Sequence, residues 1–207
     1  MGGILEKLFG SGEIVRILRL CVSNPEVMLS LDEVTKRSRV KRDTARAELK
    51  MLEDIGFVEK KIFSQEVSQD RKNRKTKPKK RKVTGYQLNP DFELLTPLRN
   101  LLLNTEPFKD KEVVKRFKGA GNLKVIIVSG VFTHNDDCRV DLLLVGDKLK
   151  KGTIESTIRS MESEIGKELE YAIFETDEFK YRLEIYDKLV RDILDFPHRK
   201  ILDKLGI

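Results

Sequence analysis

Residues 71–82 read RKNRKTKPKKRK, nine Lys or Arg in twelve positions. A segment so charged cannot be buried, so it must lie on the surface and the flanking chain must turn there. Before it comes Phe57-Val58-Glu59-Lys60-Lys61-Ile62-Phe63, and after it Val83-Thr84-Gly85-Tyr86-Gln87-Leu88. Both read as short strands rich in β-branched and aromatic residues. The stretch is therefore expected to fold as a β-hairpin with the basic run in its connection. On its own such a run is most often a solvated tail or a localisation signal. Its position between two strands favours a phosphate-binding surface.

Helical signals precede the hairpin. Ser11–Ser23 carries Ile14, Ile17, Leu18 and Cys21 at i, i+3, i+4 and i+7, one helical stripe. Asn24-Pro25 stops it. Ser30-Leu31-Asp32-Glu33 is a capping box, which starts a second helix at Leu31 that runs to about Ser38, with Leu31 and Val34 inward. A third helix is expected from Arg42 to Ile55, with Ala45, Leu49, Leu52 and Ile55 buried and Gly56 ending it. Arg42, Arg46 and Lys50 fall at i, i+4 and i+8 on its other side, with Lys41 and Thr44 near its start. Guanidinium groups on such a face suit guanine edges, and ammonium groups suit phosphates.

Charge separates the two halves. Residues 1–105 hold 22 Lys/Arg against 14 Asp/Glu, and residues 106–207 hold 19 against 20, within an overall formal charge of +7. A polyanion partner therefore belongs to the first half. No apolar run is long enough to span a membrane, and the N-terminus lacks a secretory pattern, so a cytoplasmic setting is expected. Cys21 and Cys138 lie far apart, with no CxxC and only two His, so no metal site or cofactor is expected.

The segment Leu31-Asp32-Glu33-Val34 followed by Thr44-Ala45-Arg46-Ala47-Glu48-Leu49-Lys50-Met51-Leu52-Glu53-Asp54-Ile55-Gly56-Phe57-Val58 resembles the winged helix–turn–helix of ArsR/MarR-like prokaryotic transcription regulators. The resemblance implies double-stranded DNA as partner, with 42–55 as recognition helix and the hairpin as wing. The residues assigned to DNA contact are Lys41, Arg42, Thr44, Arg46 and Lys50 on the helix. On the wing they are Arg71, Lys72, Arg74, Lys75, Lys77, Lys79, Lys80, Arg81 and Lys82. Lys41 stands where this family has a small N-cap residue, and the wing is longer and more basic than most.

Pro90-Asp91 opens a helix through Asn104, with Phe92, Leu95, Leu98, Leu101 and Leu102 apolar. It suits equally a packed linker or a homodimer contact. A compact βαβα pattern follows: strands at 123–128, 140–145 and 169–174, a helix over 153–167, a long helix from Thr176 to about Phe196, and a short strand at 199–202. Val125-Ile126-Ile127-Val128-Ser129-Gly130-Val131-Phe132 and Arg139-Val140-Asp141-Leu142-Leu143-Leu144-Val145-Gly146-Asp147 resemble the nucleotidyltransferase fold of the DNA polymerase β-like superfamily. Active members hold two Mg²⁺ with carboxylates at i, i+2 of a strand. Here that pair is Arg139 and Asp141, and the family's Gly-Ser turn is inverted as Ser129-Gly130. Asp141 is expected to pair instead with Arg139 or a nearby Lys.

These readings combine into an α+β chain. It has a winged-helix DNA-binding domain at 1–90 (three helices plus the β-hairpin wing), a linker helix at 91–106 and a small mixed-sheet nucleotidyltransferase-like domain at 107–207. The expected function is transcription regulation without catalysis; Ser129 and Asp141 would be catalytic only in an active enzyme. An effector, a protein partner or a second copy at the C-terminal domain is left open. The alternatives are a Mg²⁺-dependent nucleotidyltransferase of antitoxin type and a structural RNA-binding protein.

Overall fold

The computed structural model describes residues 4–67, 79–103, 108–135 and 138–207, with backbone alone at 65–67 and 79–81. It is mixed α+β with two small sheets. The chain divides into two compact units, Met1–Leu103 with Ser163–Lys167, and Asn104–Glu162 with Glu168–Ile207.

The first unit holds α1 (Ile4–Leu8), α2 (Gly12–Ser23), β1 (Leu29–Ser30), α3 (Leu31–Ser38), α4 (Arg42–Asp54), β2 (Val58–Val67), β3 (Lys79–Leu88) and α5 (Leu95–Leu103). Ser11 caps α2 by accepting a hydrogen bond from the Glu13 amide. α2 is buried more widely than one stripe, because Val15, Leu20 and Val22 join Ile14, Ile17, Leu18 and Cys21 in the core. The capping box forms as its residues dictate: the Ser30 hydroxyl accepts from the Glu33 amide at 3.3 Å, and the Ser30 amide donates to Glu33 Oε2 at 2.7 Å.

α4 packs Ala45, Leu49 and Leu52 inward, each at most 2% exposed. Ile55, expected in that stripe, is instead 55% exposed. The helix stops at Asp54, and Gly56 takes a left-handed φ of 78°. The Gly56 amide then bonds the Glu53 carbonyl, and the Phe57 amide bonds the Leu52 carbonyl, the hydrogen-bond pair of a Schellman cap. That turn swings Ile55 outward and sends Phe57, fully buried, into the core.

β1, β3 and β2 form an antiparallel sheet in that order. The β2–β3 ladder runs from Val58↔Leu88 to Val67↔Lys79. The basic run was expected wholly in the connection. Lys79–Lys82 are in fact on β3, opposite Val67–Ser64, while residues 71–78 lie outside the described residues. At Gly85 a Cβ would sit 2.5 Å from the Phe63 ring and 2.6 Å from Met28, so those two side chains fill the space glycine leaves and fix the register. The helix expected from Pro90 starts only at Leu95. It belongs to the first unit: Leu102 is buried, Leu95 and Leu98 pack on the core, and the Phe92 ring meets Phe57 edge-on at 5.4 Å.

The second unit contains α6 (Asp110–Arg116), β4 (Asn122–Val128), β5 (Leu142–Asp147), α7 (Lys151–Ile165) up to Glu162, β6 (Tyr171–Glu175), α8 (Thr176–Glu184), α9 (Lys188–Asp195) and β7 (Arg199–Asp203). Its sheet order is β6-β5-β4-β7, with β5 and β6 parallel and β4 antiparallel to both neighbours. Val125, Ile127, Leu143 and Val145 face a cluster with Phe174, Phe179, Val190 and Ile193. Ile126, Val128, Leu142 and Leu144 point to the other face and are also buried. Burial on both faces explains the unbroken apolar runs of β4 and β5.

The single helix expected from Thr176 to Phe196 is two helices. Tyr186 adopts φ 55°, its amide bonds the Leu183 carbonyl, and the Asp187 amide bonds the Arg182 carbonyl. Asp187 then caps α9 by accepting from the Leu189 and Val190 amides. Glycine is the usual residue at such a left-handed position, and a bulky side chain there is strained. Tyr186 is 75% exposed, so removing its side chain sacrifices little packing. Tyr186→Gly is expected to stabilise the protein by about 1 kcal/mol, read as a higher urea midpoint.

Candidate nucleic-acid interface

Three elements of the first unit converge on one cleft of about 800 Å³. α3 contributes Leu31 and Asp32 at its start, preceded by Ser30. α4 contributes Arg42, Arg46, Lys50, Glu53 and Asp54, and the hairpin contributes Lys60, Lys82, Val83, Thr84 and Tyr86. The geometry follows from two periodicities. On α4 the inward stripe of Ala45, Leu49 and Leu52 leaves Arg42, Arg46 and Lys50 one above another on the outer side. On the hairpin, the rungs Lys60↔Tyr86, Ile62↔Thr84 and Ser64↔Lys82 share a face, because cross-strand partners point the same way. The burial of Val58 and Leu88 at the base anchors that face beside the helix.

Five cations and three carboxylates line the cleft. Arg42 is ion-paired with Asp32, and Lys60 lies 3.8 Å from Glu53. Arg46 pairs with Asp43 at 3.4 Å, a residue outside the cleft lining. Lys50 and Lys82 form no ion pair among the described residues. The cations outnumber the carboxylates, so the cleft carries a net positive charge between the helix face and the strand face.

Of the residues assigned to DNA contact from sequence, Arg42, Arg46, Lys50 and Lys82 come together here. Lys41 is exposed and precedes α4 without a side-chain cap, and Thr44 is half-buried; neither lines the cleft. Arg71, Lys72, Arg74, Lys75 and Lys77 lie outside the described residues, as do the side chains of Lys79, Lys80 and Arg81. Sequence reasoning missed Lys60, Tyr86 and the carboxylates. The signal for Lys60 and Tyr86 was strand alternation combined with register, and the register depends on the close approach at Gly85.

Comparison with protein-family models, with curated proteins and with solved structures returned no match to this chain.

In the second unit Asp141 is only 8% exposed and is held by the backbone, in place of the pairing with Arg139 or Lys expected from sequence. Its Oδ1 accepts from the Val131 amide at 2.8 Å and its Oδ2 from the Glu170 amide at 2.9 Å. Arg139 instead lies 3.3 Å from Asp192. Ser129 donates its hydroxyl to the Val140 carbonyl. Gly130, at φ 52°, lets the chain pass so close that a Cβ would stand 2.0 Å from Asp141 Oδ1. Both carboxylate oxygens therefore serve as a clasp joining the turn after β4 to the start of β6. Among the described residues, no group of three or more His, Cys, Asp or Glu could hold a metal ion. Burial pushes the Cys21 thiol up to about 12, so it is a core residue with little thiolate character.

Proposed function

We propose that the first unit is a winged helix–turn–helix that binds double-stranded DNA, with α4 entering the major groove and the β2–β3 hairpin reaching the neighbouring phosphates. The supporting observation is the cleft itself, where the cationic faces of α4 and the hairpin meet. The chain then acts as a transcription regulator. Its second unit, related in pattern to the nucleotidyltransferases, serves as a platform for an effector, a partner protein or a second copy. A non-catalytic role for that unit is supported by Asp141, whose two oxygens are both occupied by backbone amides, and by the cation at Arg139 two residues before it.

The test is a salt titration of the whole chain on labelled duplex DNA and on a matched RNA hairpin. Duplex DNA is expected to bind more tightly, with a steep fall of log K against log[salt]. Lys50→Ala is expected to flatten that slope by about 0.9 and weaken binding roughly eightfold near 0.1 M salt, because one fewer phosphate is neutralised. Equal or tighter binding to RNA would overturn the DNA reading. Binding of neither nucleic acid at low salt would overturn the proposal as a whole.

A further inference from the structure

The carboxylates of the cleft call for a reason. Asp32 and Glu53 sit among five cations in a channel proposed for a polyanion, where each would repel a phosphate. Folding stability accounts for little of this, since Asp32 in the first turn of α3 adds at most about 1 kcal/mol through the helix dipole. The side chains of the Arg42–Asp32 pair are 53% and 76% exposed, and those of Lys60–Glu53 are 48% and 35% exposed. Exposed pairs of this kind add little to stability. Both acids are nevertheless set against cations of a neighbouring element, Asp32 of α3 against Arg42 of α4 and Glu53 of α4 against Lys60 of β2. Asp54 also lines the cleft, so the three carboxylates reduce its five positive charges to a net two.

We infer that Asp32 and Glu53 are discriminating residues that hold Arg42 and Lys60 as internal ion pairs and so suppress indiscriminate binding of phosphate backbones. The inference rests on the proposed nucleic-acid function of the same cleft. A phosphate that approaches Arg42 exchanges one anion for another and gains little. A correct base edge offered to the guanidinium adds directional hydrogen bonds that a phosphate on random sequence does not supply in register. Specificity of this type comes from lowering the affinity for wrong partners as much as from raising it for the right one.

The experiment measures binding of the whole chain to a short random-sequence DNA duplex over a range of salt, for wild type, Asp32→Asn, Glu53→Gln and the control Glu93→Gln. Asn and Gln keep the shape of each acid, and Glu93 is an exposed acid outside the cleft lining. Removing one negative charge beside the ligand raises the effective number of phosphates neutralised by about one. Asp32→Asn and Glu53→Gln are therefore each expected to steepen the salt slope by about 0.9 and to tighten random-duplex binding roughly five- to tenfold near 0.1 M salt. Glu93→Gln should change the affinity less than about twofold, and thermal melting of all three variants should match wild type. Two results would overturn the inference while leaving the cleft as a nucleic-acid site. One is weaker binding by Asp32→Asn, which would make Asp32 a positioning residue for Arg42. The other is an equal gain in all three variants, which would make the effect one of net charge. Absence of binding by every form at low salt would overturn the underlying reading together with the inference.

Discussion

Replacing residues 71–82 with a short Gly/Ser turn is expected to flatten the dependence of log K on log[salt] by about 3–4 units and to weaken duplex binding near 0.1 M salt by roughly three orders of magnitude. The magnitude follows from charge. The run holds nine Lys/Arg, and neutralising about four phosphates releases about 0.9 counterion for each. Such contacts carry no sequence information, so the loss should be nearly the same on every duplex. The replacement shortens the β2–β3 ladder by the rungs from Ser64↔Lys82 to Val67↔Lys79. It leaves the buried base at Val58 and Leu88 and the Gly85–Phe63 contact in place. The cleft should thus keep its walls and lose only Lys82 from its lining, and melting should stay within a few degrees of wild type. Arg46→Ala on the same duplexes provides the contrast: if its guanidinium reads a base edge, it should cost about 1–3 kcal/mol on a preferred site and relax the preference there. An unchanged salt slope after the replacement would show that the basic run is a solvated connection, and the phosphate-binding role of the hairpin would fall.

Local chemistry made parts of the fold legible. The Ser30–Glu33 capping box involves residues three apart, so the start of α3 could be placed to the residue. Gly56 likewise marked the end of α4, because glycine at a helix terminus signals a left-handed turn. The same reasoning failed at Ile55, since an apolar residue continuing the helical spacing looks buried until the cap rotates it away. It failed again at Tyr186, where the left-handed turn is made by a residue that rarely makes one. The cleft was half legible. Arg42, Arg46 and Lys50 could be aligned from a period of 3.6, whereas Lys60 and Tyr86 join them only through pairing between strands that sequence leaves unregistered. The carboxylates were harder still, because acids on exposed helix faces normally signal nothing beyond solubility. Asp141 is the reverse case. Arg139, two residues before it, suggested a cation partner, but the groups that satisfy it are amides of residues ten before and twenty-nine after it, brought there by the sheet.

That clasp leads to the second large effect. Asp141→Ala is expected to destabilise the second unit by about 3–5 kcal/mol, because it leaves the amides of Val131 and Glu170 without their charged acceptor. The readout is amide hydrogen exchange along β4 and β5, whose protection should fall by at least about a hundredfold if opening there becomes easier by that amount. Asp141→Asn keeps one acceptor oxygen but turns an NH₂ toward the other amide, so its effect should lie between those of wild type and alanine. Gly130→Ala attacks the clasp from the other side. Its φ of 52° and a Cβ 2.0 Å from Asp141 Oδ1 leave no room for the methyl group, so it should reproduce the loss of protection without touching a carboxylate. This pairing separates structure from chemistry. A carboxylate kept for metal-dependent nucleotidyl transfer can be removed with the fold intact and the activity gone, and active sites often gain stability when such a group is lost. A carboxylate kept as a clasp does the opposite: the fold loosens, and there is no transfer to lose. With Mg²⁺ and labelled ATP, CTP or GTP, wild-type protein is accordingly expected to label neither itself nor RNA. Unchanged exchange in Asp141→Ala, combined with Mg²⁺-dependent labelling that the same substitution abolishes, would overturn the non-catalytic reading and make Asp141 a catalytic residue.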